Sequence, residues 1–230
     1  WMTLYHWELP RALEEKDGWQ NSETAAAFSR FAAMMAAHFE GRVSHFITLN
    51  EPQIVLKLGY ADGIHAPGKR LSLPELVSCW KNLMLAHGLS FRAIRKAAPE
   101  ALIGIASTGK LCYPHSPADE DAARQETFRL TDSDWMFTHA IVLDAVCLGR
   151  DEPEAGALRK LLSEVTPEEW DTMHAVPDFI GVNSYNGSEI AAGPDGAPVY
   201  LPRPQGFART ALKWPITPEI MEHGLSLIHI

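Results

Sequence analysis

Short apolar runs alternate along this chain with longer amphipathic stretches, and each change of period is marked by turn residues. Met2 to Trp7 is apolar and aromatic and is followed by Leu9-Pro10, a break suited to a strand end. After Asp17-Gly18, Asn21 or Ser22 can cap a helix carrying Phe28, Phe31, Ala32, Met35 and Phe39 at helical spacing, with Gly41 as its stop. Val43 to Leu49 reads as a second strand, closed by Asn50-Glu51-Pro52 because Pro52 cannot continue a central ladder. Ser72 and Glu75 form a capping box ahead of Val77, Trp80, Leu83, Met84, His87, Phe91 and Ile94, and Pro99 marks that helix's end. A third strand, Ala101 to Ala106, leads through Ser107-Thr108-Gly109 into a connection rich in Pro and Asp. Helices are expected over 119–130, 133–148 and 154–164, and from the box Thr166 to Glu169 as far as His174. The fourth strand is Asp178 to Asn183, and the Gly- and Pro-rich stretch 193–206 reads as an extended surface loop. Strands separated by helical segments predict an α/β fold with a parallel sheet and helical crossovers. Four such units do not close a barrel.

With 46% hydrophobic and 21% charged residues, the 230-residue chain has the make-up of a folded globular protein, which excludes disorder, collagen and coiled coil. A net charge of −9 would on average repel a phosphate backbone or an anionic bilayer, so neither nucleic acid nor membrane is expected as a partner. No run approaches the roughly 18 apolar residues of a membrane helix. The chain opens on Trp1 with no basic, apolar signal run, which leaves an upstream targeting segment open; low cysteine use is compatible with the cytoplasm. Cys79, Cys112 and Cys147 lie far apart without C-x-x-C spacing and read as inert thiols, not as a zinc site or disulfide framework. No phosphate-loop pattern occurs, and no Gly-rich stretch links a strand to a helix as a dinucleotide site requires, so no cofactor is expected.

The chemistry lies where the strands end. His6-Trp7, Asn50-Glu51, Ser107-Thr108 and Asn183-Ser184-Tyr185 each follow a strand directly, and ligands of parallel α/β folds bind at the carboxyl ends of the strands. Glu51 alone would be a solvated loop carboxylate, but it follows the apolar run Phe46-Ile47-Thr48-Leu49. A carboxylic acid at a dry strand end has its charged form disfavoured, the usual way to keep a proton available for donation. His6 has no second ligand at convincing spacing, so hydrogen bonding suits it better than metal. Trp1 and Trp7 either fill core space or offer a flat apolar face to a sugar ring, with an indole N–H free for a hydroxyl. Tyr185 can equally be a core tyrosine.

Several segments, in order, resemble one family. Thr3-Leu4-Tyr5-His6-Trp7-Glu8-Leu9-Pro10 is similar to T-L-Y-H-W-D-L-P, with Glu8 for Asp, and Gly18-Trp19-Gln20-Asn21 to G-W-x-N. Phe46 to Pro52 resembles a strand ending in T-x-N-E-P, and Gly59-Tyr60 through Gly63 to Ala66-Pro67-Gly68 the loop G-Y-x-x-G-x-x-A-P-G. Ile180 to Tyr185 resembles G-I-N-Y-Y with Ser184 in place of a tyrosine, and Trp214 to Pro218 resembles W-x-I-x-P. These are motifs of glycoside hydrolase family 1, the β-glucosidase type of (β/α)8 barrel.

The resemblance implies a partial TIM barrel, approximately strands three to six with their helices, and a single incomplete glycosidase domain over 1–230. It implies a retaining β-glycosidase, a β-glucosidase, that works on a small-molecule β-glycoside through two carboxylates. Glu51 matches the general acid/base; His6, Trp7 and Asn50 match residues that hold sugar hydroxyls; Tyr185 matches the phenol that orients the nucleophile, with Asn183 beside it. The family's nucleophile lies in an I-T-E-N-G segment, and the chain has none. The chain alone is therefore expected to be inactive. Residues 225–230 depart from the family and read as a non-native tail. A non-catalytic sugar-binding relative and a vestigial fragment are the alternatives. The sugar, the aglycone and the oligomeric state are not read from the sequence.

Overall fold

In the computed structural model, which describes residues 1–228 and side chains through His223, helices begin where side chains take up free amide groups. The expected tail at 225–230 lies outside the described side chains, and residues 229–230 lie outside the description altogether. In chain order the elements are β1 (Met2–Tyr5), α1 (Arg11–Glu14), α2 (Ser22–His38), β2 (His45–Asn50), α3 (Pro52–Ile54), α4 (Leu73–Ala97), β3 (Leu102–Thr108) and β4 (Cys112–Pro114). There follow α5 (Glu120–Phe128), α6 (Ala140–Leu143), α7 (Ala157–Leu162), α8 (Pro167–Met173), β5 (Phe179–Asn183), β6 (Ser188–Ala192), β7 (Pro198–Tyr200) and α9 (Glu219–Ile228). Asn21 Oδ1 accepts the Glu23 amide at 2.9 Å to start α2. Glu75 reaches back to the Ser72 amide at 2.8 Å at the head of α4, and Thr166 and Glu169 exchange the same pair of bonds before α8.

Among the described residues β1, β2, β3 and β5 form one parallel sheet in that order, with Tyr5 opposite Leu49, Phe46 opposite Ile103 and Thr108 opposite Asn183. On one side the sheet is covered by α2 and α4, where Ala32, Ala36, Ile94 and Ala98 close over Phe46 and Ile103. Small residues permit the close approaches. At Gly88 of α4 a Cβ would fall 1.8 Å from the carbonyl oxygen of Thr172 in α8, and Arg92 one turn on donates to that same oxygen at 2.6 Å. At Gly104 of β3 a Cβ would fall 2.4 Å from the ring of Phe179, which crosses that position to meet His45 and Trp1. Trp1 fills no core: it is 76% exposed and stacks on His45 at 4.1 Å.

Two sequence expectations are corrected. The helix expected over 133–148 is reduced to α6 and a wider π-helical turn over Asp144–Leu148. The preceding backbone is engaged elsewhere: Thr131 Oγ1 caps a turn at Asp134, Phe137 O accepts from Lys110, and Thr138 Oγ1 donates to Thr127 O. The stretch 193–206 is not all loop, because β7 pairs antiparallel with β6, which in turn pairs parallel with β4. This second sheet is fastened to α5 where Tyr200 of β7 donates to the buried Glu126 at 2.7 Å, a carboxylate that Lys110 also meets at 2.7 Å while reaching the half-exposed Asp134 at 2.5 Å. Burial pushes the thiols of Cys79, Cys112 and Cys147 up to about 12, 11 and 11, so all three are unreactive near neutral pH. Among the described residues no helix is long and apolar enough to cross a membrane.

Thr48 of β2 is bonded to Nδ1 of His87 at 2.7 Å, and the other ring nitrogen reaches Ala175 O at 3.1 Å. Complete burial lowers the pKa of His87 from 6.5 to about 4. The unfolded chain therefore binds this proton first, so the stability contributed is full above pH 6.5 and is lost as pH falls toward 4. The shift corresponds to roughly 3 kcal/mol. Thermal melts between pH 7 and 4.5 should show a decline that is shallower in His87→Gln; identical slopes in the two proteins would show that His87 does not carry it.

Candidate active site

β2 delivers Asn50 and Glu51 to the carboxyl edge of the sheet, and the chain then turns sharply because Pro52 opens α3. Glu51 makes that turn with φ 47° and ψ 60°, a left-handed conformation unusual for a residue with a side chain. Its backbone is held on both sides: the N–H donates to Ala106 O of β3 at 2.8 Å, and the carbonyl accepts from Ile54 at 2.9 Å. The residue is 4% exposed.

Around the carboxylate the expected residues converge. Asn183, at the end of β5, donates its amide to Glu51 Oε1 and also to Asn50 Oδ1 at 3.2 Å. Tyr185 donates its hydroxyl to the same Glu51 oxygen at 3.2 Å. The amide nitrogen of Asn50 meets Nε2 of His6 at 3.3 Å, and since that nitrogen can only donate, the imidazole proton lies on Nδ1. The result is a continuous chain from His6 through Asn50 and Asn183 to Glu51 and Tyr185, spanning β1, β2 and β5. Trp7 joins it differently than expected. Its indole N–H, anticipated as free for a sugar hydroxyl, donates to Asn50 O at 2.9 Å, and its backbone turns with φ 76°.

Two neighbours were assigned no role from the sequence. Trp214 lies with its ring 5.3 Å from that of Tyr185, and His65, from the loop after Tyr60, lies 5.6 Å from the ring of Trp7. The motifs contain both residues, but spacing alone says nothing of which strand end they approach. Ser184, by contrast, has its hydroxyl buried without a partner among the described residues.

Known proteins are similar to this chain over nearly its whole length. Residues 1–215 match the glycosyl hydrolase family 1 profile. The chain belongs to glycosyl hydrolase family 1. It is 31% identical over 222 residues to beta-glucosidase A of Thermotoga maritima, covering 95% of this chain and 48% of that protein. It is 32% identical to beta-glucosidase A of Acetivibrio thermocellus over 99% of this chain and 50% of that one. The beta-glucosidase from Thermotoga maritima in complex with castanospermine superposes with a TM-score of 0.75 at 30% identity, over 94% of this chain and 47% of that one. The virulence factor SghA, in complex with its substrate analog salicin, superposes with a TM-score of 0.78 at 27% identity, over 97% and 49%. The chain thus spans about half the length of the family 1 relatives it matches, and its four-stranded parallel sheet is an arc of their barrel.

Burial, and then the negative charge of Glu51 beside it, raise the pKa of the Tyr185 phenol above its ordinary 10.0. In Glu51→Gln the charge is gone while the burial remains. The Tyr185 titration, followed by phenolate absorbance, should therefore move down toward 10.0 without reaching it. An unmoved midpoint would show that the phenol does not sense this carboxylate.

Proposed function

We propose that this chain carries the acid/base half of a retaining β-glucosidase active site, with Glu51 as the general acid and then base. The observation that supports the reading best is the buried carboxylate of Glu51 with both of its donors, Asn183 and Tyr185, on a single oxygen. With Oε1 occupied, Oε2 is the oxygen on which a transferable proton would sit, facing the leaving glycosidic oxygen. Protonation of that oxygen releases the aglycone, and the same carboxylate then deprotonates the water that hydrolyses the glycosyl-enzyme.

His6, Trp7 and Asn50 would hold hydroxyls of the cleaved sugar, Asn50 by turning its amide from His6 to the 2-hydroxyl, where a bond tightens in the transition state. Trp7 would then act through its ring face, since its N–H is engaged with Asn50 O. Tyr185 donates here to Glu51 and would orient the nucleophile when the second carboxylate is present. That nucleophile, normally about 5 to 5.5 Å from the acid/base, would come from sequence outside residues 1–230, so the chain by itself would not turn over substrate. The beta-glucosidase relatives are the support for glucose as the sugar.

Two measurements test this. Sequencing of the source gene past the codon for Leu225 should reveal an I-T-E-N-G-like segment; a gene that stops at Ile230 would refute a catalytic role. In the protein from the complete reading frame, Glu51→Gln should lower kcat/KM on an aryl β-glucoside by about 10²- to 10⁴-fold, the loss shrinking for leaving groups that need no proton. Undiminished turnover in Glu51→Gln would overturn the assignment.

A further inference from the structure

Two residues beyond Glu51, Gln53 is a polar side chain with no solvent exposure. Its amide donates to Ser107 Oγ at 2.7 Å and more weakly to Thr138 O at 3.3 Å. Ser107, equally buried, reaches Nδ1 of His139 at 3.0 Å. The Ser107 oxygen thus accepts from Gln53 and shares a hydrogen bond with the His139 ring, whose Nε2 is buried without a partner among the described residues. Burial holds the pKa of His139 down at about 4, so the ring stays neutral near pH 7.

These bonds tie α3, β3 and the segment before α6 together. Ser107 follows Ala106, whose carbonyl accepts the Glu51 N–H at 2.8 Å. Two consecutive residues of β3 therefore hold the turn, one gripping the backbone of Glu51 and the next gripping the side chain that comes two residues later. The backbone at Glu51 is in a region that L-residues leave unless their surroundings over-determine it. Release of the Gln53 grip would let α3 swing and Glu51 return to an ordinary conformation, turning its carboxylate away from Asn183 and Tyr185.

We infer that Gln53 is a positioning residue for Glu51, acting through Ser107 and His139. Its effect on catalysis rests on the acid/base reading of Glu51; its effect on geometry does not. The first readout is accordingly independent of activity. In the ¹⁵N-labelled chain the side-chain amide of Asn183, assigned by its loss in Asn183→Asp, should exchange slowly because it is bonded to Glu51. Gln53→Leu and Ser107→Ala should each speed that exchange by about tenfold or more, and Ser107→Thr, which keeps the hydroxyl, should remain near wild type.

In the protein from the complete reading frame, Gln53→Leu should lower kcat/KM by about 10- to 100-fold with KM little changed, as expected for a small misplacement of a reacting group. Unchanged Asn183 exchange in both Gln53→Leu and Ser107→Ala overturns the inference, even if both variants melt earlier. Should Gln53→Leu fail to fold, Ser107→Ala against Ser107→Thr decides it. An inactive wild type whose Asn183 exchange responds to these variants overturns the acid/base reading and supports the positioning role.

Discussion

Everything at this site depends on a hydrogen bond that reaches over a strand. Glu51 and Asn183 leave the sheet from β2 and β5, with β3 between them, and strands two apart are separated by about 9.5 Å. On β3, Thr108 faces Asn183 in the register and its hydroxyl donates to Asn183 O at 3.2 Å, while Ala106 faces Asn50 on one side and, on the other, Gly181, where a Cβ would be 3.1 Å from its own. Lower in the sheet, Gly104 leaves room for Phe179, which leans over β3 toward His45 and Trp1.

The second sheet serves the same contact from the other side. Tyr185 lies in the short link between β5 and β6, and that link is fixed at Gly187, whose N–H donates to Thr217 Oγ1 at 2.9 Å and whose carbonyl accepts from Arg203. The sheet is in turn anchored on α5 by Glu126, which gathers Lys110, Tyr200 and, at 3.5 Å, Arg129 around a carboxylate hidden from solvent. A carboxylate so placed is tolerated because its charge is matched and its oxygens are bonded. An ion cluster away from the candidate site therefore helps hold the phenol that touches Glu51.

The parallel sheet, its helices and the strand-end residues were legible because each leaves a local mark: a capping box at Ser72 and Glu75, a proline after Glu51, an apolar run before Asn183. What stayed hidden has no local mark. Strands of three residues such as β4 and β7 are too short to show alternation, and Pro198 within β7 argues for a loop until Tyr200 is seen bonded to Glu126. The helix expected at 133–148 has the right periodicity, but Trp135, Thr138 and His139 are buried by partners distant in sequence. The engaged indole of Trp7 and the Gln53–Ser107–His139 chain are likewise products of tertiary contact, since neither a tryptophan nor a glutamine announces its partner.

The left-handed backbone at Glu51 carries a consequence for how the protein can change. Glycine or asparagine would occupy that conformation with less strain than glutamate, which is disfavoured there by about 1–2 kcal/mol. At this one position thermostability and the presence of an acid pull in opposite directions. Lineages released from the need for the carboxylate would drift toward the smaller residue, so the identity of the amino acid at this turn is itself a record of whether selection still holds the site.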